Sequence, residues 1–287
     1  MSLLRSRAEA LAEPLPPLLA RARHLAQGVI LGEHGRRRAG LGDAFWQFRR
    51  AQPGDPAHTI DWRRSARSDQ HYVQQKEWQA AQAVMFWVDR AQAMRFASRP
   101  GGETKAERAA LIALASAILL VDGGERVGLT ETPTPPARGH VQLERIAAQL
   151  DAPAQPDYGA PATQTLPNHS RAVFLSDFLG PLDGLETALA TAADRGVTGA
   201  LLQLLDPAEE AFPYGGRIVF HSPGGGVVHE TREAGGLRAR YLDRLAERKA
   251  RLEELARRTG WQYHLHHTDA APAAALLWLY RALEGRF

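Results

Sequence analysis

Three aspartates carry most of the chemistry open to this chain. Asp89 closes the apolar run Ala83–Val88, Asp177 follows Ala172–Leu175 after a single serine, and Asp206 follows Gly199–Leu205. Carboxylates brought to one place can hold a hard divalent cation, which takes oxygen ligands, or divide the acid and base roles of a hydrolase between them. Glu209 and Glu210 stand just beyond Asp206-Pro207 and could extend such a pair. Aspartate before proline is also a good start to a helix, and a solvated, helix-starting acidic turn is the plainer reading. Ser176 lacks the Gly-x-Ser-x-Gly elbow of an activated serine. His264 and His266 alternate as zinc ligands on a strand would, with His267 and Asp269 close by. No second cluster is spaced to complete a tetrahedron, so a solvated strand end is expected there. Gly40-x-Gly42 lacks a third glycine, and Gly224 to Gly226 lacks the lysine of a phosphate loop.

The aspartates can meet only if their strands run parallel, side by side. From residue 83 onward apolar runs alternate with helical patterns, which predicts an α/β fold with a doubly wound, mostly parallel sheet. Ligands of such sheets gather at the carboxyl ends of the strands, where all three aspartates would fall. Ala83–Val88 is expected as the central strand with Ala172–Leu175 beside it, since both runs are wholly apolar. Thr104 and Glu107 form a capping box ahead of a helix over 104–121. Arg217–His221 and Val227–Glu230 read as a hairpin, and Trp261–His266 as the last strand. Residues 1–27 read as an N-terminal helical arm, 28–80 as a β-rich segment full of glycines, aromatics and arginines, and 81–287 as the α/β domain.

Composition narrows the function. The chain has 287 residues and no cysteine, which removes disulfides, thiolate nucleophiles and cysteine-bound zinc. The longest apolar stretch, Ala109–Val121, falls short of the roughly 20 residues that span a bilayer. Met1–Leu25 has no uninterrupted apolar run of the signal-peptide kind, so the default expectation is a cytoplasmic protein with no membrane partner. A net charge of +3 does not by itself call for a polyanion. Arg36-Arg37-Arg38 and Arg49-Arg50, interleaved with Phe45, Trp46 and Phe48, could suit nucleic acid, but Asp43, Asp55 and Asp61 share that segment and argue against it.

The run Gly54-Asp55-Pro56, Ile60-Asp61-Trp62, Ser65-Ala66-Arg67 and Tyr72-Val73 resembles the domain-of-unknown-function 58 family. Ser176-Asp177-Phe178-Leu179 and Asp206-Pro207-Ala208-Glu209-Glu210 match two further signatures in order. The resemblance implies a von Willebrand factor A-like sheet with an N-terminal β-rich insertion, and frequent pairing with a MoxR-type AAA+ ATPase. It also implies a place for a metal-ion-dependent adhesion site, built on Asp-x-Ser-x-Ser with a threonine and a second aspartate. Here the first loop reads Asp89-Arg90-Ala91-Gln92-Ala93, so alanine stands at both serine positions. Asp89 and Asp177 remain as a degenerate pair, and no cofactor, Mg²⁺ included, is expected. The expected function is therefore a non-catalytic interaction module. Its rivals are a metal-dependent hydrolase on the strand-end aspartates and a nucleic-acid binder through residues 36–67. Asp61 and Arg67, flanking Trp62, are expected to pair in a buried knot that fastens the fold, the alternative being that the Gly54–Arg67 loop is a docking surface. Arg90, Glu209 and Glu210 are expected as exposed docking residues.

Overall fold

The computed structural model describes residues 17–33, 45–51, 60–66, 70–76, 82–152, 156–221 and 228–284. The chain divides into two compact units, one of residues 36–81 and one of residues 1–35 with 82–287.

The larger unit is built on five parallel strands: β3 (Ala83–Val88), β4 (Arg126–Leu129), β5 (Arg171–Ser176), β6 (Thr198–Leu205) and β9 (Gln262–His267), in the order β4-β3-β5-β6-β9. The fold is α/β with a parallel central sheet, as the alternation predicts. β5, not β3, is the middle strand: the chain crosses from β3 to β4 on one side and returns to β5 on the other. Both β3 and β5 are interior and pair with each other, Val88 opposite Leu175. Their unbroken apolar runs follow from burial on both faces. The edge strand β4 has four residues, and beyond it Val127 exchanges both backbone hydrogen bonds with Ala137, at 2.9 and 3.0 Å.

Helices cover both faces. On one lie α1 (Pro17–Glu33), α3 (Lys105–Asp122), α4 (His140–Leu150) and α8 (Pro272–Glu284), sharing a core with Phe86, Val173 and Leu202. On the other, α5 (Asp183–Asp194) and α7 (Arg238–Thr259) bury Leu189 and Leu252 against Trp87, Phe174 and Trp261. The helix expected as an arm starts at Pro17, a residue well suited to a first turn, and buries Leu19, Ala22 and Ala26 in the shared core. It is a layer of the fold. Leu11 and Leu15 lie outside the described residues. α3, between the sheet and α1, is almost wholly buried along its first four turns. A short helix, α6 (Pro207–Ala211), follows β6, and β7 (Ile218–His221) pairs antiparallel with β8 (Val228–Thr231) as the expected hairpin.

In the smaller unit β1 (Phe45–Arg50) pairs antiparallel with β2 (Tyr72–Lys76), and α2 (Trp62–Ser65) makes one helical turn between them. Ser65 ties that turn down: its Oγ donates to the Asp61 carbonyl at 2.8 Å and accepts the Tyr72 N–H at 2.9 Å.

Candidate functional site at the carboxyl edge of the sheet

The strand order reverses between β3 and β5, and open α/β sheets bind ligands at such a point. Parallel register brings Asp89, Ser176 and Asp177 together there. The Asp89 N–H donates to the Leu175 carbonyl at 2.9 Å, continuing the ladder one residue past the strand. Asp89 Oδ1 accepts the Ala91 N–H at 2.9 Å, and Oδ2 accepts the Ser176 hydroxyl at 2.7 Å. Burial pushes the Asp89 carboxyl up, and the charges of Asp177 and Glu131 push the same way, beyond what the Ala91 and Ser176 hydrogen bonds pull back. Ser176 Oγ also accepts the Phe178 N–H at 3.0 Å. Phe178 itself takes a φ of 51°, a left-handed conformation rare for an aromatic residue. Beyond it, the Leu179 N–H reaches Asp177 Oδ1 at 2.9 Å.

The other oxygen of Asp177 faces a residue that sequence reasoning passes over. Lys105, the first residue of α3, is 1% exposed. Its Nζ lies 2.7 Å from Asp177 Oδ2 and 2.5 Å from Glu209 Oε1. Burial works against its charge, but the two carboxylates outweigh it and hold the ammonium above the ordinary lysine range. The Phe96 ring stands 5.7 Å from the nitrogen. A clue was present: lysine in the first turn opposes the helix dipole, so its charge needs an acidic neighbour. The Thr104 capping box that starts α3 is present as predicted.

Asp206 caps α6, accepting the Ala208 N–H at 2.8 Å, while the Glu209 side chain returns to the Asp206 N–H. The cap is as expected, but Asp206 and Ala208 are buried and Glu209 and Glu210 only half-exposed, so the turn is not a solvated one. Burial would raise the Asp206 carboxyl, yet hydrogen bonds from Ser98 and Ala208 hold it below the usual carboxylate range.

The expected docking residues are half-buried and already paired with neighbours in the fold. The Glu209 side chain is 14% exposed and tied to Lys105. Glu210 bridges Lys249 and His267, and Arg90 pairs with Glu131 and donates to the Gln149 carbonyl. The histidines are not a solvated strand end either. His266 is buried against Arg108, and His264 stacks on Trp278 with centroids 4.8 Å apart. Trp62 departs most from expectation: it is 58% exposed, with the His71 ring edge-on at 5.6 Å. Asp61 is half-buried in the same turn, with Ala66 exposed and Ile60 half-buried on either side. Gly54, Asp55 and Arg67 lie outside the described residues.

The crevice among Asp89, Ser176, Asp177 and Phe178 is closed. Gly159 passes over it so tightly that a Cβ there would stand 2.4 Å from Asp89 Oδ1. The remaining cavity is about 10 Å³, the space of a single water. A cleft of about 350 Å³ opens at the ends of β6 and β9, lined by Ser98, Arg99, Glu103, Asp206, Pro213 and Asp269. The donor set of the crevice does not fit the divalent cation of an adhesion site. Both oxygens of Asp89 and of Asp177 already accept hydrogen bonds, the Lys105 ammonium holds Asp177 Oδ2, and Ala91 and Ala93 offer no oxygen. Among the described residues no group of three or more His, Cys, Asp or Glu is placed to hold a metal.

The chain is 30% identical over 238 residues to uncharacterized proteins of Mycobacterium tuberculosis and Mycobacterium bovis, covering 77% of this chain and 73% of each relative. Two solved structures align with 71% of this chain and the whole of their own. One is an aerotolerance-related membrane protein from Bacteroides fragilis with multiple mutations to serines, at 14% identity and a TM-score of 0.40. The other is the conserved hypothetical protein BatB from Bacteroides thetaiotaomicron, at 13% identity and a TM-score of 0.45. Among the described residues of this chain no helix is long and apolar enough to cross a membrane. The model of DUF58, a protein family of unknown function, matches residues 47–251, and the chain belongs to that family.

Proposed function

We propose that this chain is a non-catalytic interaction module of von Willebrand A-like type, acting in the cytoplasm with a MoxR-type AAA+ ATPase in the assembly or remodelling of another protein. The observation that carries this reading is the closed crevice at the reversal of strand order. With about 10 Å³ inside it, there is no room for even a small substrate. Its carboxylates and serine hydroxyl are bonded to one another and to neighbouring N–H groups. A hydrolase built on Asp89 and Asp177 would need oxygens turned toward solvent or a metal, and all four of these accept hydrogen bonds from within the fold.

Trp62 is the surface feature best suited to a protein partner. Large amphipathic rings dominate binding hot spots, and this one is mostly exposed within the run that carries the family resemblance. The test is affinity capture with the full chain from native lysate of its own organism, with eluates identified by mass spectrometry. A MoxR-type ATPase should be enriched. Trp62→Ala should lower its capture about tenfold or more while moving the melting temperature by less than about 2 °C. Eluates without such an ATPase would remove the proposed partner, and full capture by the variant would remove Trp62 from the interface.

A further inference from the structure

We infer that Lys105 is the resident cation of the Asp177–Glu209 pair at the strand ends, a covalently attached replacement for the divalent ion that two such carboxylates would otherwise attract. The Lys105 ammonium bonds one oxygen from each of two carboxylates, at 2.7 and 2.5 Å, from different loops at the carboxyl edge. Asp177 follows β5 and Glu209 lies in α6 after β6, so the contacts join two strand ends through one positive charge. A hard divalent cation would likewise gather carboxylate oxygens from separate segments. The two loop positions that would complete a metal's shell are alanines, buried at 3% and 8%. A chain that supplies its own cation has no use for hydroxyls there.

The replacement is built in at several levels. Thr104 and Glu107 cap α3 and place its first residue at the sheet edge. Asp206 caps α6 and sets Glu209, whose Oε2 returns to the Asp206 N–H while Oε1 takes the lysine. Phe96 flanks the ammonium. The helix that carries Lys105 and the helix that carries Glu209 are thus each held by a capping box. A divalent ion is open to exchange with solvent and to chelators, whereas an ammonium on the chain is present whenever the chain is folded.

Removing the ammonium recreates a demand for a cation. Lys105→Ala leaves Asp177 and Glu209 facing each other across the space of the lost side chain. Thermal melts of the full chain, with and without millimolar MnCl₂, read the result. Lys105→Ala should melt lower than the parent in metal-free buffer and gain about 3 °C or more with Mn²⁺. The parent and the double variant Lys105→Ala/Asp177→Asn should shift by less than about 1 °C. Equal shifts in parent and variant, or none in the variant, would overturn the inference. So would rescue by ethylammonium but not by Mn²⁺, which would mark the space as shaped for an amine alone. If Lys105→Ala is recovered only unfolded, refolding from urea decides. Native signal regained with Mn²⁺ and not without it is the expected result, and no recovery in either buffer counts against the inference.

Discussion

The Arg108 guanidinium donates to His266 Nε2 at 3.0 Å, and both side chains are buried. A guanidinium has only donors, so Nε2 must be the unprotonated nitrogen and His266 a neutral imidazole. Arg108 also donates to the Thr268 carbonyl at 2.6 Å and pairs with Glu103 at 2.7 Å, so it cannot turn away when the histidine protonates.

His266 therefore makes stability depend on pH. Burial lowers its pKa to about 4, with Arg108 adding to the effect. The unfolded chain takes up this proton near pH 6.5 and the folded chain only near 4. The contribution is thus complete above 6.5 and is lost as pH falls through that window, by about 3 kcal/mol in all. Urea melts at pH 7, 6, 5 and 4.5 should show the decline in the parent, and His266→Gln should flatten most of it. An equal slope in the variant would place the dependence elsewhere.

Neighbouring glutamates in α6 should behave differently. Glu209→Gln removes a charge partner from a fully buried ammonium, for which about 3 kcal/mol is a reasonable loss. Glu210→Gln weakens pairs with Lys249 and His267 that lie partly in solvent, and should cost less than about 1 kcal/mol. Chemical denaturation of the two single variants checks the order.

Two glycines mark close approaches. A Cβ on Gly199 would stand 1.8 Å from the Ala172 carbonyl oxygen in the neighbouring strand, so Gly199→Ala must force β5 and β6 apart. A loss of about 3 kcal/mol or more is expected, with poor soluble yield. Gly159→Ala meets the tethered Asp89 side chain instead and should cost about 1–3 kcal/mol. Comparable unfolding midpoints for both variants and the parent would contradict these approaches.

Thr104→Ala should cost about 1 kcal/mol by undoing the cap of α3. Thr104→Ser keeps the oxygen and should recover most of it, which denaturant midpoints of the two variants can resolve.

The parallel sheet was legible because β3 and β5 are buried on both faces, and burial of that kind writes an uninterrupted apolar run. The aspartates at the strand ends and the Thr104–Glu107 cap were legible too, since each depends on residues close by in the chain. Lys105 was not, because its partners lie 72 and 104 positions away. His266 looked like a solvated end for the same reason: the arginine that buries it is 158 residues upstream. The centre of the sheet was misplaced because apolar runs report burial, not the direction in which a crossover turns. Trp62 was expected inside because a tryptophan between charged neighbours invites a packed ion pair. Which way a one-turn helix points its ring is a tertiary matter.

The bridge between Val127 and Ala137 has a consequence for behaviour in a crowded solution. An edge strand normally offers a row of unpaired amides to any passing chain, the first step of sheet-to-sheet aggregation. At β4 the chain's own 137 loop takes both Val127 backbone groups, and Gln142 Nε2 adds a third bond to the same carbonyl at 2.9 Å. The middle of that short edge is closed to a templating partner.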